Sequence, residues 1–316
     1  MVRDFVTDIV DWVAVDWGTS NLRAWGIAAD GSVVFEKVSP SGMGKLARED
    51  YPGVLTGLLE DVQTAHGGPI QVLICGMAGA RQGWLEAPYL EAPTDLRSLL
   101  AGAVQPMADN RIIASILPGV CQKAGGDNVM RGEETQLLGL AALHPGFSGI
   151  VCMPGTHSKW AKLSGSRIEH FSTAMTGEVF EVLRTHSVLR HSFNGDIDGP
   201  GRADGFAAGA AAGLDHPEQL LGTLFQVRAG SLLSGRQPDW CAGYLSGLLI
   251  GTEVGANRHL IGAQDVPLIG SPTLCALYAQ VLTLAGASGT PQDATAIVLA
   301  GLKAARNFTN ELEPRR

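Results

Sequence analysis

The apolar and polar positions of this chain repeat one pattern, about half the chain apart. Val13-Ala14-Val15 is an apolar run that ends on a single acid, Asp16. Gly18, the hydroxyls Thr19 and Ser20, and Arg23 follow, and apolar character resumes over 25–28. Asp30-Gly31 between two strand-like runs predicts a hairpin, with 32–38 as the returning strand. At 150–153 a second apolar run leads into Gly155-Thr156-His157-Ser158-Lys159. A strand at 160–163, a turn at 164–166 and a return over 167–171 complete a second hairpin. Gly155-Thr156 answers Gly18-Thr19, Lys159 answers Arg23 with an offset of one residue, and Met153 stands where Asp16 stood.

Between and after these hairpins the spacing predicts helices over 51–66, 96–107 and 128–143, and strands over 70–75 and 111–117. Residues 144–148 read as a domain junction. Beyond the second hairpin, helices are expected over 179–186, 217–234, 240–255 and 293–305, with a strand over 266–269. The Ala/Gly-rich stretch 205–213 has the small faces that let helices pack closely. Residues 1–11 read as a loose lead-in and 307–316 as a frayed tail. Strands alternating with helices indicate an α/β protein in two domains, 13–144 and 145–316, after a lead-in over 1–12.

Composition narrows the classes. The 316 residues are 45% hydrophobic and 17% charged, with a net charge of −8. That is a globular composition, and its charge disfavours a nucleic-acid surface. No apolar stretch reaches the length of a membrane span, and the first 12 residues lack a signal-peptide core, so a cytoplasmic protein is expected. The five cysteines form no C-x-x-C pair, which argues against zinc and dithiol redox chemistry.

The candidate chemistry is phosphate binding. Gly18 lets backbone N–H groups approach an anion, Thr19 and Ser20 add donors, and Arg23 offers a planar fork. Asp16, among these donors, suits a hydrated Mg²⁺. An ordinary hairpin could carry the same residues, but two such loops favour a duplicated fold with nucleotide between its halves. The G-x-x-x-x-G-K-[ST] spacing of a P-loop is absent. Arg81, Gln82 and Trp84 lie in a loop after the 70–75 strand, where α/β proteins bind ligands. Arg131, Glu133 and Glu134 cluster at a helix start, a set suited to accepting a proton and binding a carboxylate. Gly270 and Ser271 follow a short strand as an adenosine-binding corner.

DWGTSNLRAW (16–25), CGMAGARQGW (75–84), APYLEAP (87–93), LPGV (117–120), NVMRGEETQLLG (128–139), MPGTHSKW (153–160), TAMTGE (173–178) and LSGLLIGTEV (245–254) are similar to the 2-dehydro-3-deoxygalactonokinase family of the sugar kinase/Hsp70/actin superfamily. MRGEETQ followed by MPGTHSKW is the specific part. The resemblance implies two RNase H-like domains with mixed sheets flanked by helices and an interdomain nucleotide cleft. It implies ATP and Mg²⁺ as cofactors and γ-phosphoryl transfer to the 6-hydroxyl of a small sugar acid, 2-dehydro-3-deoxy-D-galactonate, in galactonate catabolism. Carried over, Asp16, Gly18, Thr19, Ser20 and Arg23 form the first phosphate loop, with Asp16 toward the metal. Gly155, Thr156, His157 and Lys159 form the second, and Gly270 and Ser271 the adenosine segment, where a double glycine common in relatives is missing. Glu133 is the expected base, with Glu134 and Asp127 as the neighbouring candidates. Arg81 is preferred over Arg131 for the substrate carboxylate. A kinase of another sugar acid, such as the gluconate-derived epimer, a non-kinase ATPase and a sugar sensor remain as alternatives. A homodimer is compatible with all of these.

Overall fold

The apolar run that ends at Asp16 becomes the middle strand of a five-stranded sheet. The computed structural model describes residues 8–106 and 110–312 and divides into two units. The first takes in the chain up to Ser148, the hairpin tip Leu163–His170 and the chain from Thr295 onward; the second takes in Gly149–Lys162 and Phe171–Ala294.

The first unit opens with β1 (Asp8–Val10), β2 (Trp12–Trp17), β3 (Leu22–Ile27), β4 (Val33–Ser39), α1 (Asp50–Leu58), β5 (Val62–Thr64) and β6 (Ile70–Gly76). It continues with β7 (Tyr89–Glu91), β8 (Thr94–Asp95), β9 (Ile112–Ile116), β10 (Gly119–Gln122), β11 (Asn128–Met130) and α2 (Glu133–Leu143). The main sheet runs β4-β3-β2-β6-β9. β2 pairs antiparallel with β3 and parallel with β6, and Val13, Ala14, Val15 and Trp17 are all buried. A strand covered on both faces needs no polar alternation, which is why 13–15 read as a continuous apolar run. Gly31, at φ 83°, makes the predicted turn into β4.

Three expected helices come out shorter. The helix expected over 51–66 stops at Leu58, because Val62–Thr64 pairs parallel with β1. The same pairing makes Asp8–Val10 a strand where a loose lead-in was expected; residues 1–7 lie outside the described residues. The helix expected over 96–107 is a 3₁₀ helix over Leu96–Gly102, started by the Asp95 carboxylate accepting from Arg97 N–H at 3.0 Å. Val104 then forms an antiparallel bridge with Ile116, and Met107 lies outside the described residues. The helix expected over 128–143 begins only at Glu133, since Asn128–Met130 pairs with β10.

The second unit is built from β12 (Ser148–Met153), β13 (Ser158–Ser164), β14 (Arg167–Ala174), α3 (Thr176–His186), α4 (Arg202–Asp215), α5 (Leu220–Leu233), α6 (Pro238–Ile261), β15 (Asp265–Leu268), α7 (Pro272–Leu284) and β16 (Ser288–Pro291), apart from the tip of the β13–β14 hairpin, which counts with the first unit. Its sheet order is β16-β15-β12-β13-β14, with β15 parallel to both β12 and β16. α4 and α6 meet backbone to backbone. A Cβ on Gly205, Gly209 or Gly213 would lie 2.1–2.3 Å from the carbonyl oxygens of Trp240, Tyr244 and Leu248. This is the close packing that the Ala/Gly-rich stretch forecast.

The chain ends with α8 (Ala294–Leu312), which from Thr295 onward belongs to the first unit. It covers part of the expected tail; residues 313–316 lie outside the described residues. α8 crosses α2 where Gly301 and Gly139 face each other: a Cβ on either would lie 1.9 Å from a carbonyl oxygen of the other helix. Among the described residues no helix is long and apolar enough to cross a membrane.

Candidate active site

In the first unit three chain segments meet at the C-terminal ends of β2 and β6. Asp16 sits across from Arg23 in the β2–β3 register and beside Cys75 in the β2–β6 register. Arg23 Nη2 donates to Asp16 Oδ2 at 3.2 Å, and Arg23 Nη1 donates to Thr295 Oγ1 of α8 at 2.8 Å. The other Asp16 oxygen, Oδ1, has the Cys75 thiol at 4.0 Å. Burial pushes the Asp16 carboxyl above its ordinary range, and the Arg23 charge opposes this.

The turn after Asp16 is closed by Gly18 N–H donating to Asn21 C=O at 2.9 Å, and Thr19 and Ser20 are exposed on it. It is backed by the Gly-rich loop that follows β4, Ser-Gly-Met-Gly over 41–44. Met43 N–H and Gly44 N–H donate to the carbonyls of Gly18 and Thr19 at 3.0 and 2.9 Å. A Cβ on Gly42 would lie 2.3–2.5 Å from backbone atoms of Thr19, Ser20 and Asn21. The signal in the sequence was Ser-Gly-Met-Gly itself, which is legible as a close approach only once its partner is known.

The second segment is the loop after β6. Gly76, at φ 90°, lies against Trp17, its would-be Cβ 2.7 Å from Trp17 C=O. Arg48 holds this loop by donating to the carbonyls of Arg81 at 2.8 Å and Gly83 at 3.1 Å. The Arg81 side chain is 82% exposed, with Glu86 at 3.9 Å, and Gln82 is exposed beside it. Trp84, grouped with them in the sequence, is instead buried: its ring stacks on Tyr51 at 6.0 Å and meets Trp17 edge-on at 6.3 Å. A large apolar ring at the sheet edge gains more from the core than from solvent.

The third segment is the start of α2. Gly132 has φ 105°, a conformation that glycine adopts readily, and packs against Gly76. Glu134 folds back so that both its oxygens accept from Gly132 N–H, at 2.9 and 2.8 Å. Glu133 Oε2 accepts from Arg131 N–H at 3.0 Å. Glu134 is buried, and burial together with the charge of Glu133 pushes its carboxyl up to about 7. Cys75 lies between these acids: burial, then the charges of Asp16 and Glu134, push its thiol well up. The Arg131 guanidinium donates to Ala87 C=O at 2.8 Å and stacks over Tyr89 at 4.4 Å, while its Nε and Nη1 are buried without a hydrogen-bond partner among the described residues.

The second unit builds its loop differently. β12 ends at Met153, and Pro154-Gly155-Thr156-His157 leads into β13. Thr156 and His157 are exposed, whereas Lys159, expected as a phosphate-facing cation, is buried on β13. The loop is clamped by the start of α3. Glu178 N–H donates to Thr156 C=O at 3.0 Å, and a Cβ on Gly177 would lie 2.6 Å from Gly155 C=O. His157 and Glu178 pair through Nε2 and Oε2. Gly270 lies against the same loop, its would-be Cβ 2.8 Å from Pro154 C=O. Ser271 caps α7, its Oγ accepting from Leu274 N–H at 3.3 Å.

Two α/β units with mixed sheets flanked by helices define a protein of the actin, Hsp70 and sugar-kinase fold class. Component A of the Acidaminococcus fermentans (R)-2-hydroxyglutaryl-CoA dehydratase shares this fold with a TM-score of 0.50 at 13% identity, over 94% of this chain and 98% of that one. The chain belongs to the 2-keto-3-deoxy-galactonokinase family, whose model matches residues 16–305. It is 43% identical over 304 residues to a Rhizobium meliloti protein assigned as a 2-dehydro-3-deoxygalactonokinase, covering 93% of this chain and 96% of that one. It is 34% identical over 294 residues to the Escherichia coli 2-dehydro-3-deoxygalactonokinase, covering 92% and 96%. A crystal structure assigned to the same activity, from Sinorhizobium meliloti, superposes with a TM-score of 0.84 at 39% identity, over 96% of this chain and all of that one.

Proposed function

We propose that this chain is a kinase that transfers the γ-phosphoryl group of ATP to the 6-hydroxyl of 2-dehydro-3-deoxy-D-galactonate, giving the 6-phosphate and ADP. Membership of the kinase family supports the reaction. The observation that carries the site assignment is the meeting of the Asp16 strand end and the Glu133-Glu134 helix start around Cys75.

Phosphoryl transfer asks mainly for positioning and charge neutralisation. The turn at Gly18-Thr19-Ser20 presents exposed donors for phosphate, and Arg23 sets a positive charge beside them. In the second unit, Gly155 and Thr156 form a further phosphate loop, with His157 at its rim and the Lys159 charge beneath it. Gly270 and Ser271 contribute to holding the nucleoside.

Among the described residues no three or more His, Cys, Asp or Glu side chains converge on a metal-sized site. That suits Mg²⁺, which is commonly held by one or two carboxylates with phosphates and water. Asp16 is the residue that would hold it, and the ion, when bound, neutralises phosphate charge. Glu133 takes the proton from the 6-hydroxyl as the new O–P bond forms and the γ-phosphorus bond to the ADP oxygen breaks. Arg81, exposed on a loop locked by Arg48, pairs with the substrate carboxylate, and Gln82 offers an amide beside it. Arg131, which spends Nη2 on Ala87 C=O and stacks on Tyr89, is the second cation for that carboxylate.

The test is ADP release, coupled to a spectroscopic readout, across a panel of sugars and sugar acids that includes the gluconate-derived epimer. Turnover selective for 2-dehydro-3-deoxy-D-galactonate is expected. ATP turnover that is equal with and without any acceptor would refute the kinase reading.

A further inference from the structure

Glu253 lies on α6, distant in sequence from every loop residue named above, and is 5% exposed. Its carboxylate gathers donors from three elements. Trp160 Nε1–H of β13 donates to Oε1 at 2.7 Å, and Tyr278 O–H of α7 donates to Oε2 at 2.6 Å. Thr176 Oγ1–H, at the first residue of α3, also donates to Oε2. Tyr278 is in turn 2.8 Å from Ser158 Oγ, which is buried where the Gly155-Thr156 loop enters β13. An ionised carboxylate only accepts, so a set of convergent donors fits it. A buried acid with fewer donors would be costly.

The two arms of this cluster reach the two sides of the loop. Through Tyr278 it reaches Ser158, one residue beyond His157. Through Thr176 it fixes the start of α3, whose Gly177 and Glu178 press on Gly155 and bond to Thr156 C=O. We infer that Glu253 is a positioning residue for nucleotide phosphate, holding the Gly155-Thr156 loop in shape from beneath through Tyr278–Ser158 on one side and Thr176 on the other. The inference rests on reading that loop as a phosphate loop.

The experiment measures Kd for ATP, ADP and AMP, and KM for ATP and for the sugar acid, in Glu253→Gln, Glu253→Leu, Tyr278→Phe and, as the reference for the loop, Thr156→Val. Thermal unfolding identifies the folded variants, and Tyr278→Phe keeps the shape of the core should Glu253→Leu fail to fold. Expected for Tyr278→Phe is a rise of about fivefold in Kd for ATP, the size of one lost hydrogen bond. AMP affinity and the sugar-acid KM should stay within about twofold. Glu253→Gln should recover most of the ATP affinity lost in Glu253→Leu, because its carbonyl accepts from Trp160 while its amide donates to the hydroxyls. If Thr156→Val weakens ATP and the folded cluster variants weaken ATP and AMP alike or neither, Glu253 does not position the loop. If Thr156→Val also leaves ATP binding unchanged, both this inference and the phosphate-loop reading fall.

Discussion

Each unit places an acid at its loop, but at opposite depths. At the end of β2 the acid is on the strand itself: Asp16 keeps 23% of its side chain exposed, and among the described residues its Oδ1 has only a thiol at 4.0 Å. At the end of β12 the corresponding position is Met153, which is buried, and the acid that serves the loop is Glu253 beneath it. Both Glu253 oxygens are taken by donors from neighbouring elements. Residue type does not separate the two roles; the number of donors already spent does. A carboxylate with an oxygen left over can bind an incoming cation, and one that is saturated can only hold structure.

Replacing Asp16, the half-buried acid with an oxygen left over, should have the largest effect. Asp16→Asn should lower kcat by about two to three orders of magnitude at saturating Mg²⁺, as expected when charge stabilisation of a transferring phosphoryl group is lost. The fold should survive, because burial already disfavours the Asp16 charge. Turnover within a few-fold of the parent would remove the contrast with Glu253.

The two loops share a second device, a glycine pressed against their backbone, and here the first unit is the tighter. Gly42→Ala puts a Cβ within 2.5 Å of three backbone atoms, and Gly177→Ala puts one 2.6 Å from Gly155 C=O and 2.8 Å from Thr156 Cα. Backbone cannot swing aside as a side-chain tip can. Each change should cost about 1–3 kcal/mol and raise the KM for ATP, Gly42→Ala more than Gly177→Ala. Gly57→Ala, in α1 with nothing within 4 Å of the new Cβ, is the control and should stabilise by about 0.5–1 kcal/mol. Equal thermal shifts for all three would show that the close approaches are not rigid.

Much of this was legible in the chain and some was not, for a physical reason. Apolar runs, the Asp30-Gly31 turn and the loop pair are local patterns, and local patterns are what a sequence displays. The Asp16–Arg23 pair lies in the β2–β3 register closed by the turn at 18–21, whereas Asp30-Gly31 turns β3 into β4. By contrast, α1 ends early because Val62–Thr64 finds β1 as a partner, and β1 lies in the expected lead-in. Trp84 turns inward because Trp17 and Tyr51 are waiting there. Glu253 read as part of a family motif, and its meaning depends on Trp160, Thr176 and Tyr278, which lie on three other elements.

The buried acids of the two units also differ in what holds them, although burial raises both carboxyls. Glu134 is held at about 7 in the fold against an ordinary 4.5. The folded protein therefore keeps a proton that the unfolded chain has lost between these values. Stability from this group is greatest below about 4.5 and falls by about 3 kcal/mol as pH rises toward 7. Glu134→Gln abolishes that titration, so relative to the parent the variant should gain stability between pH 5 and pH 7.5. Urea unfolding of both proteins at the two pH values measures it, and Asp16 and Glu253 cancel in the difference. Parallel curves would mean that Glu134 titrates normally. Glu133→Gln, in contrast, should lower kcat; if Glu134→Gln lowers it more, the base is the buried acid.

The smallest effect is expected where the loop is most exposed, and it tests whether acceptor and donor binding are separable. Among the described residues Arg81 has no buried contact to lose: its side chain is 82% exposed and its ion pair there is a loose 3.9 Å contact with Glu86. Such a pair adds well under 1 kcal/mol. The loop backbone is held instead by Arg48, which Arg81→Ala leaves in place. Stability should therefore stay within about 0.5 kcal/mol of the parent. The KM for the sugar acid should rise several-fold, since a charge-assisted pair to the carboxylate is lost, by about 1–2 kcal/mol. The KM for ATP should not move, because Arg81 belongs to neither phosphate loop. A parallel rise in both constants would show that the acceptor and donor sites are coupled through this loop, and the clean division between Arg81 and the Asp16 turn would fail.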